Sequence, residues 1–356
     1  MKSIEAASSA HRKRAIAAAR RRLDRGDDDA LATALIGDLF GRVSVEDIEP
    51  YAAPELAGFA RSAAALLAGR EPGKPVIRIH DPDFDGRARR HQAVTVVEIL
   101  NDNMPFLVDS IMSELQDSGA VIRLVAHPIV TVTRDSNGRL TDYRGTGLPT
   151  AGSGAARESL ITVHVDRLAG EAARDDLAAR LAIVLESVRL AVAGWQPMRS
   201  RLGEAIAAYR TQPTGLPEEE TAEAIAFLEW LLDNNFTFLG MREYDFVGGA
   251  RHGELKRADQ PGLGILSDPG VRVLRRGREP VTTTPALRHF LMRPEALIIT
   301  KTNIRSHVHR RVYMDYVGVK LFDGKGKLSG ELRVVGLFTS TAYTDSTLTI
   351  PFLRRK

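Results

Sequence analysis

Residues 101–111 read Asn101-Asp102-Asn103-Met104-Pro105-Phe106-Leu107-Val108-Asp109-Ser110-Ile111, a polar turn between an apolar strand pattern and a helical one. A helix start leaves backbone N–H groups without intrahelical partners. Together with the positive end of the helix dipole, those groups suit a carboxylate ligand. Asp102, Asn103, Met104, Pro105, Phe106 and Asp109 therefore form a candidate effector turn. The competing reading is self-capping, in which Asp102 or Asn103 satisfies the N–H groups and no ligand enters. A second constellation is Arg305, His307, His309 and Arg311. Read on a strand, His307 and His309 share one face. Metal binding needs three or four convergent ligands. His289 and Asp315 are the nearest candidates, and the arginines oppose a cation, so an anion-facing strand is expected and no metal.

Other patterns fail on context. Gly262-Leu263-Gly264-Ile265-Leu266-Ser267 lacks a third glycine, and Pro269-Gly270 occupies the place where a dinucleotide fold needs a helix. The stretch from Gly318 to Gly324-Lys325 has the wrong spacing for a phosphate loop and carries Gly326 where Ser or Thr is required. Asp81-Pro82-Asp83-Phe84-Asp85-Gly86 opens like a calcium loop, but Gln92 stands where a bidentate carboxylate belongs. No strand–Gly-x-Ser-x-Gly–helix context surrounds any serine. The expectation is no catalytic residue and no cofactor within this chain.

The elements that position these residues fall in three blocks. Residues 1–72 read as helical, with Ser44 and Asp47 as an approximate capping box, Pro54 opening a helix and Gly69 closing it. Residues 73–212 change period. Short strands at 76–79 and 94–100 precede the turn, Pro105 suits the first position of a helix over 106–118, and Gly119 ends it. The apolar stretch 121–133 is broken at His127-Pro128, which predicts one bent strand or two short ones. Asp135-Ser136-Asn137-Gly138 is a turn, 160–165 a strand and 171–193 an amphipathic helix. The order approximates a βαββαβ unit, an antiparallel sheet with helices on one face. Residues 213–220 read as a hinge. Residues 213–356 then give a helix over 221–234, an Asn234-Asn235 stop and strands at 236–246, 263–266, 271–275, 297–303, 308–322 and 328–340. The fold class expected is α+β throughout, in two sheet domains after a helical segment.

The 356 residues contain no cysteine, which excludes disulfides, thiolate metal sites and cysteine nucleophiles. The formal charge is +4, but Lys2, Arg12, Lys13, Arg14, Arg20, Arg21, Arg22 and Arg25 concentrate it in the first helix, and the remainder is slightly acidic. With no aromatic residues interleaved, a solvated helix is expected in place of a nucleic-acid surface. There is no apolar run of about 18 residues and no signal-peptide core, so neither a membrane nor secretion is expected, and the protein is read as cytoplasmic. The chain stops after Pro351-Phe352-Leu353 without a closing element, so further sequence is expected to follow.

The stretch Asp102-Asn103-Met104-Pro105-Phe106-Leu107-Val108-Asp109-Ser110 resembles the N-terminal region of the large bacterial NAD-dependent glutamate dehydrogenases. The resemblance continues in His127-Pro128, Arg134-Asp135, Glu158-Ser159, Phe227-Leu228, Trp230-Leu231 and Phe236-Thr237-Phe238-Leu239-Gly240. It runs on through Ser306-His307-Val308-His309-Arg310 and Gly336-Leu337-Phe338-Thr339-Ser340, covering most of residues 75–345. It implies an ACT-like domain followed by a PAS-like one, both ahead of a separate catalytic region. That region would convert glutamate, NAD and water to 2-oxoglutarate, ammonium and NADH, and NAD belongs to it. ACT sheets often pair edge to edge, so a homo-oligomer and an amino-acid effector are implied partners, with the downstream catalytic region acting in cis. In one departure, Phe106 follows Pro105 where ligand-binding ACT turns place Gly, so the ring either blocks that pocket or makes it a packing surface. Two other readings remain: a stand-alone amino-acid sensor, and a scaffold without ligand.

Overall fold

In a computed structural model, residues 2–24, 29–82, 94–248, 253–276, 279–280 and 285–355 are described. The candidate calcium loop lies largely outside them. By internal packing the chain forms two compact units, Met1–Leu185 and Glu186–Lys356. The boundary falls within one helix and not at residues 213–220, which link two helices of the second unit.

The first unit opens with helices α1 (Lys2–Leu23), α2 (Ala30–Phe40), α3 (Val45–Ile48) and α4 (Ala53–Ala68). Ser44 caps α3 by accepting from the Asp47 N–H at 3.1 Å. Glu55 caps α4 by accepting from the Ala52 N–H at 2.6 Å, one half of a capping box. Gly69 ends α4 in extended backbone, φ −141°, in place of a left-handed cap.

The helices pack on one face of a sheet built from β1 (Val76–His80), β2 (Val94–Asp102), β3 (Ile122–Ala126), β4 (Ile129–Arg134), β5 (Leu140–Tyr143) and β6 (Ala156–Asp166). The order is β1-β2-β6-β4-β5, with β3 also paired to β6, all antiparallel. The stretch broken at His127-Pro128 is thus two short strands laid end to end along β6. Proline cannot donate to a ladder, which is why the pairing stops there. Helix α5 (Leu107–Asp117) connects β2 to β3, and α6 (Glu171–Thr211) follows β6. The βαββαβ unit is present except that its last strand is missing; β1, from ahead of the unit, occupies the edge beside β2.

Helix α6 runs on to Thr211, past the 171–193 span read from sequence and through Gly194 and Pro197. Burial of Met198, Leu202, Ala205, Ile206 and Tyr209 against the second sheet outweighs the cost of an internal proline. The second unit continues with α7 (Glu218–Trp230) and a wide turn ending at Asn235, in which Asn234 is left-handed, φ 60°. Its strands are β7 (Phe236–Val247), β8 (Glu254–Arg257), β9 (Leu263–Gly264), β10 (Arg275–Arg276) and β11 (Glu279–Pro280). After α8 (Pro285–Leu291) come β12 (Leu297–Arg305), β13 (Tyr313–Phe322), β14 (Leu328–Phe338) and the short α9 (Ser340–Thr344). The sheet order is β8-β7-β14-β13-β12. Numbered along the chain, that is second, first, fifth, fourth, third, the antiparallel order of a PAS-like α+β domain. The strand expected at 263–266 shrinks to Leu263–Gly264 because Ile265–Ser267 turns into a 3-10 helix after the left-handed Gly264, and of the strand expected at 271–275 only Arg275 lies in one, β10. Asp323 accepts from the Lys325 and Lys327 N–H groups and fixes the hairpin before β14.

Candidate functional site

The turn after β2 is tied down by its own protein. Asp102 is half exposed, and its Oδ1 accepts from Arg70 Nη1 at 2.8 Å. Asn103 donates its backbone N–H to the Arg157 carbonyl at 3.0 Å, and its Oδ1 accepts from the Ser159 hydroxyl at 3.0 Å. Ser159 Oγ lies 3.2 Å from His127 Nε2. Because Ser159 spends its proton on Asn103, His127 donates from Nε2. Burial lowers the His127 pKa and favours this neutral ring.

Pro105 is not the first helical residue. Leu107 is, and Phe106 precedes it in left-handed backbone, φ 70° and ψ −6°. Phe106 thus adopts the conformation glycine takes most readily, at a cost of about 1 kcal/mol or more. It is half-buried, and its carbonyl accepts from both the N–H and the hydroxyl of Ser110. Asp109 lies exposed in the first turn of α5, and Met104 is half-buried. Ile111 and Leu115 of α5 are fully buried, as their spacing requires.

Next to this turn sits a charge cluster that pattern reading did not assemble. Glu158 and Asp102 are cross-strand neighbours on β6 and β2. Two carboxylates facing each other repel, and Arg70 bridges them, its Nη1 at 2.8 Å from each. Arg134 grips the same Glu158 through Nε at 2.8 Å and Nη2 at 2.7 Å. Glu158 and the Arg70 side chain are almost fully buried, as is that of Arg134. Residues that carry the resemblance far apart in sequence, His127, Arg134, Glu158 and Ser159, therefore converge around one turn. Their place in the stretches that carry the resemblance was the signal; register was the missing information.

A cavity of about 330 Å³ opens beside the β3–β4 break. Its walls include Asp38 and Arg42 of the helical segment, and His127, Thr146 and Arg157 from the sheet and its loops, over an apolar lining from Leu39, Val43, Val125 and Ile129.

The second constellation does not form the expected strand face. Ser306 to Val312 is a loop between β12 and β13. Ser306 Oγ donates to the Val308 carbonyl and accepts its N–H, closing a tight turn. His309 is left-handed, φ 66°, so His307 and His309 do not alternate as on a strand. His307 Nδ1 hydrogen-bonds Arg311 Nη1, and Arg305 stacks over Tyr313 at 5.7 Å. Among the described residues no group of three metal-ligating side chains converges.

The two folds define an ACT-like α+β unit with a helical segment on its sheet, and a PAS-like unit after it. Residues 35–181 match the family model described as glutamate dehydrogenase, ACT1 domain. The NAD-specific glutamate dehydrogenase of Halomonas elongata is 33% identical over 324 residues, covering 89% of this chain and 19% of that protein. The enzyme of the same name from Pseudomonas aeruginosa is 33% identical over 321 residues, covering 89% and 19%. The chain belongs to this family as an N-terminal region of it. It spans about a fifth of the length of these relatives. Among solved structures, an RNA-binding Light-Oxygen-Voltage receptor aligns over 88% of this chain and 87% of its own at 11% identity, with a TM-score of 0.18, too low to carry an argument. Among the described residues no helix is long and apolar enough to cross a membrane.

Proposed function

We propose that this chain is a regulatory and assembly region acting in cis on the catalytic region of a cytoplasmic NAD-dependent glutamate dehydrogenase. The observation that carries the reading is the ACT1 match over residues 35–181, coincident with the β2–turn–α5 arrangement. In this reading the chemistry, with NAD as cofactor, belongs to the downstream region: glutamate, NAD and water become 2-oxoglutarate, ammonium and NADH. This region contributes subunit contacts through open sheet edges and a response to a small effector. Homo-oligomerisation and an amino-acid effector at the 102–106 turn are part of the proposal. The ties of Asp102 to Arg70 and of Asn103 to Arg157 and Ser159, with the left-handed Phe106, support a role in which the turn transmits a change over one in which it encloses a ligand. The test is to assay purified residues 1–356 with glutamate and NAD. The expected result is no NADH formation, and measurable turnover contradicts the proposal.

A further inference from the structure

The cavity beside the β3–β4 break is distinct from the 102–106 turn and carries an unusual charge balance. Arg157 is half-buried, and its Nε is fully enclosed with no hydrogen-bond partner. Neither Arg157 nor the exposed Arg42 makes an ion pair among the described residues. An enclosed guanidinium N–H without an acceptor is costly, and the cost is recovered when an anion supplies one. The one carboxylate in the lining, Asp38, holds the Tyr143 hydroxyl on its Oδ2 at 2.6 Å, which leaves Oδ1 as a spare acceptor. Two unpaired guanidiniums, one spare carboxylate oxygen and a neutral imidazole surround a partly apolar space. Its volume is at the low end of the range for metabolite sites.

We propose that this cavity binds a small dicarboxylate, one carboxylate on Arg157 and the other on Arg42 at the mouth, with Asp38 Oδ1 accepting from a hydroxyl or ammonium substituent. Guanidinium forks pair bidentately with carboxylates, which fits a flat dianion better than a single spherical charge. Occupancy has a route to the turn. His127 lines the cavity and reaches Asn103 through Ser159, and the Arg157 backbone carbonyl holds the Asn103 N–H.

Calorimetry on the 356-residue chain tests this with succinate, glutarate and glutamate against acetate and inorganic phosphate. Hydrogen exchange is followed at residues 38–43, 103 and 125–129. The dicarboxylates are expected to bind with protection at those segments, and Arg157→Gln to weaken binding by about tenfold or more. Arg42→Gln, in the exposed turn after α2, is expected to weaken it in the same direction without touching the fold. Arg189→Gln, in an exposed pair with Glu186 on α6, is expected to leave it unchanged. No heat from any dicarboxylate, or one bound no better than acetate or phosphate, overturns the proposal. So does binding indifferent to both Arg157→Gln and Arg42→Gln.

Discussion

Replacing Glu158 by alanine removes one carboxylate and strands two guanidiniums. In the native protein Glu158 accepts from Arg70 Nη1 at 2.8 Å and from Arg134 Nε and Nη2 at 2.8 and 2.7 Å. The Arg70 and Arg134 side chains are only 1% and 6% exposed. Breaking a buried ion pair by deleting one partner costs about 3–5 kcal/mol. Here Arg70 keeps Asp102 and the Lys74 carbonyl, and Arg134 keeps the Gly138 and Leu67 carbonyls. The low end, about 3 kcal/mol, is therefore expected. Asp102→Asn touches the same Arg70 from a side chain that is 45% exposed. Solvent screens that contact, and about 1 kcal/mol or less is expected. Hydrogen exchange of peptides covering β2 and β6 measures both losses locally, without assuming that the two units unfold together. Equal and small effects of the two substitutions would refute the claim that Glu158 organises a desolvated cluster.

Phe106→Gly is expected to alter stability by no more than about 1 kcal/mol, because relief of the left-handed backbone offsets lost ring contacts. Phe106→Val, with a branched side chain in that conformation, is expected to cost at least about 1 kcal/mol in urea unfolding. Burial, and secondarily the neighbouring His80, lowers the pKa of fully buried His164 to about 3, while the unfolded value is near 6.5. Below pH 6.5 the unfolded chain takes up a proton the folded state refuses. Stability of the first unit is then full above pH 6.5 and falls towards pH 3 by at most about 1.4 kcal/mol per unit for this group. Exchange of β6 amides at pH 7 and 5.5 checks the slope, which His164→Gln should reduce. On α6, a Cβ at Gly194 would lie 2.5 Å from the Gly264 backbone nitrogen, whereas one at Gly203 meets nothing within 4 Å. Gly194→Ala should therefore destabilise by about 1–3 kcal/mol, while Gly203→Ala should stabilise by up to about 1 kcal/mol in thermal unfolding.

Local chemistry made much of the fold readable. The Ser44 cap, the stop at Asn234 and the break at His127-Pro128 are each set by a residue and its immediate neighbours. What failed was set by tertiary burial. Helix α6 crosses Gly194 and Pro197 because its later turns pack on a sheet formed by residues 25 and more positions downstream. His307 and His309 left the strand because Ser306 closes a turn on Val308, an alternative that side-chain hydrogen bonding offers the backbone. The turn between β2 and α5 was legible as a turn, but the residues that tie it down lie 32 to 88 positions apart along the chain. Only the β2–β6 register brings Glu158 opposite Asp102 and Ser159 opposite Asn101.

The most direct measurement removes the region equivalent to residues 1–356 from a full-length dehydrogenase of this family and follows NADH formation against glutamate concentration. Retained turnover, with altered subunit association and a lost response to small carboxylate effectors, is the predicted result. Unchanged assembly and unchanged effector response in the truncated enzyme would contradict a regulatory role for these two units.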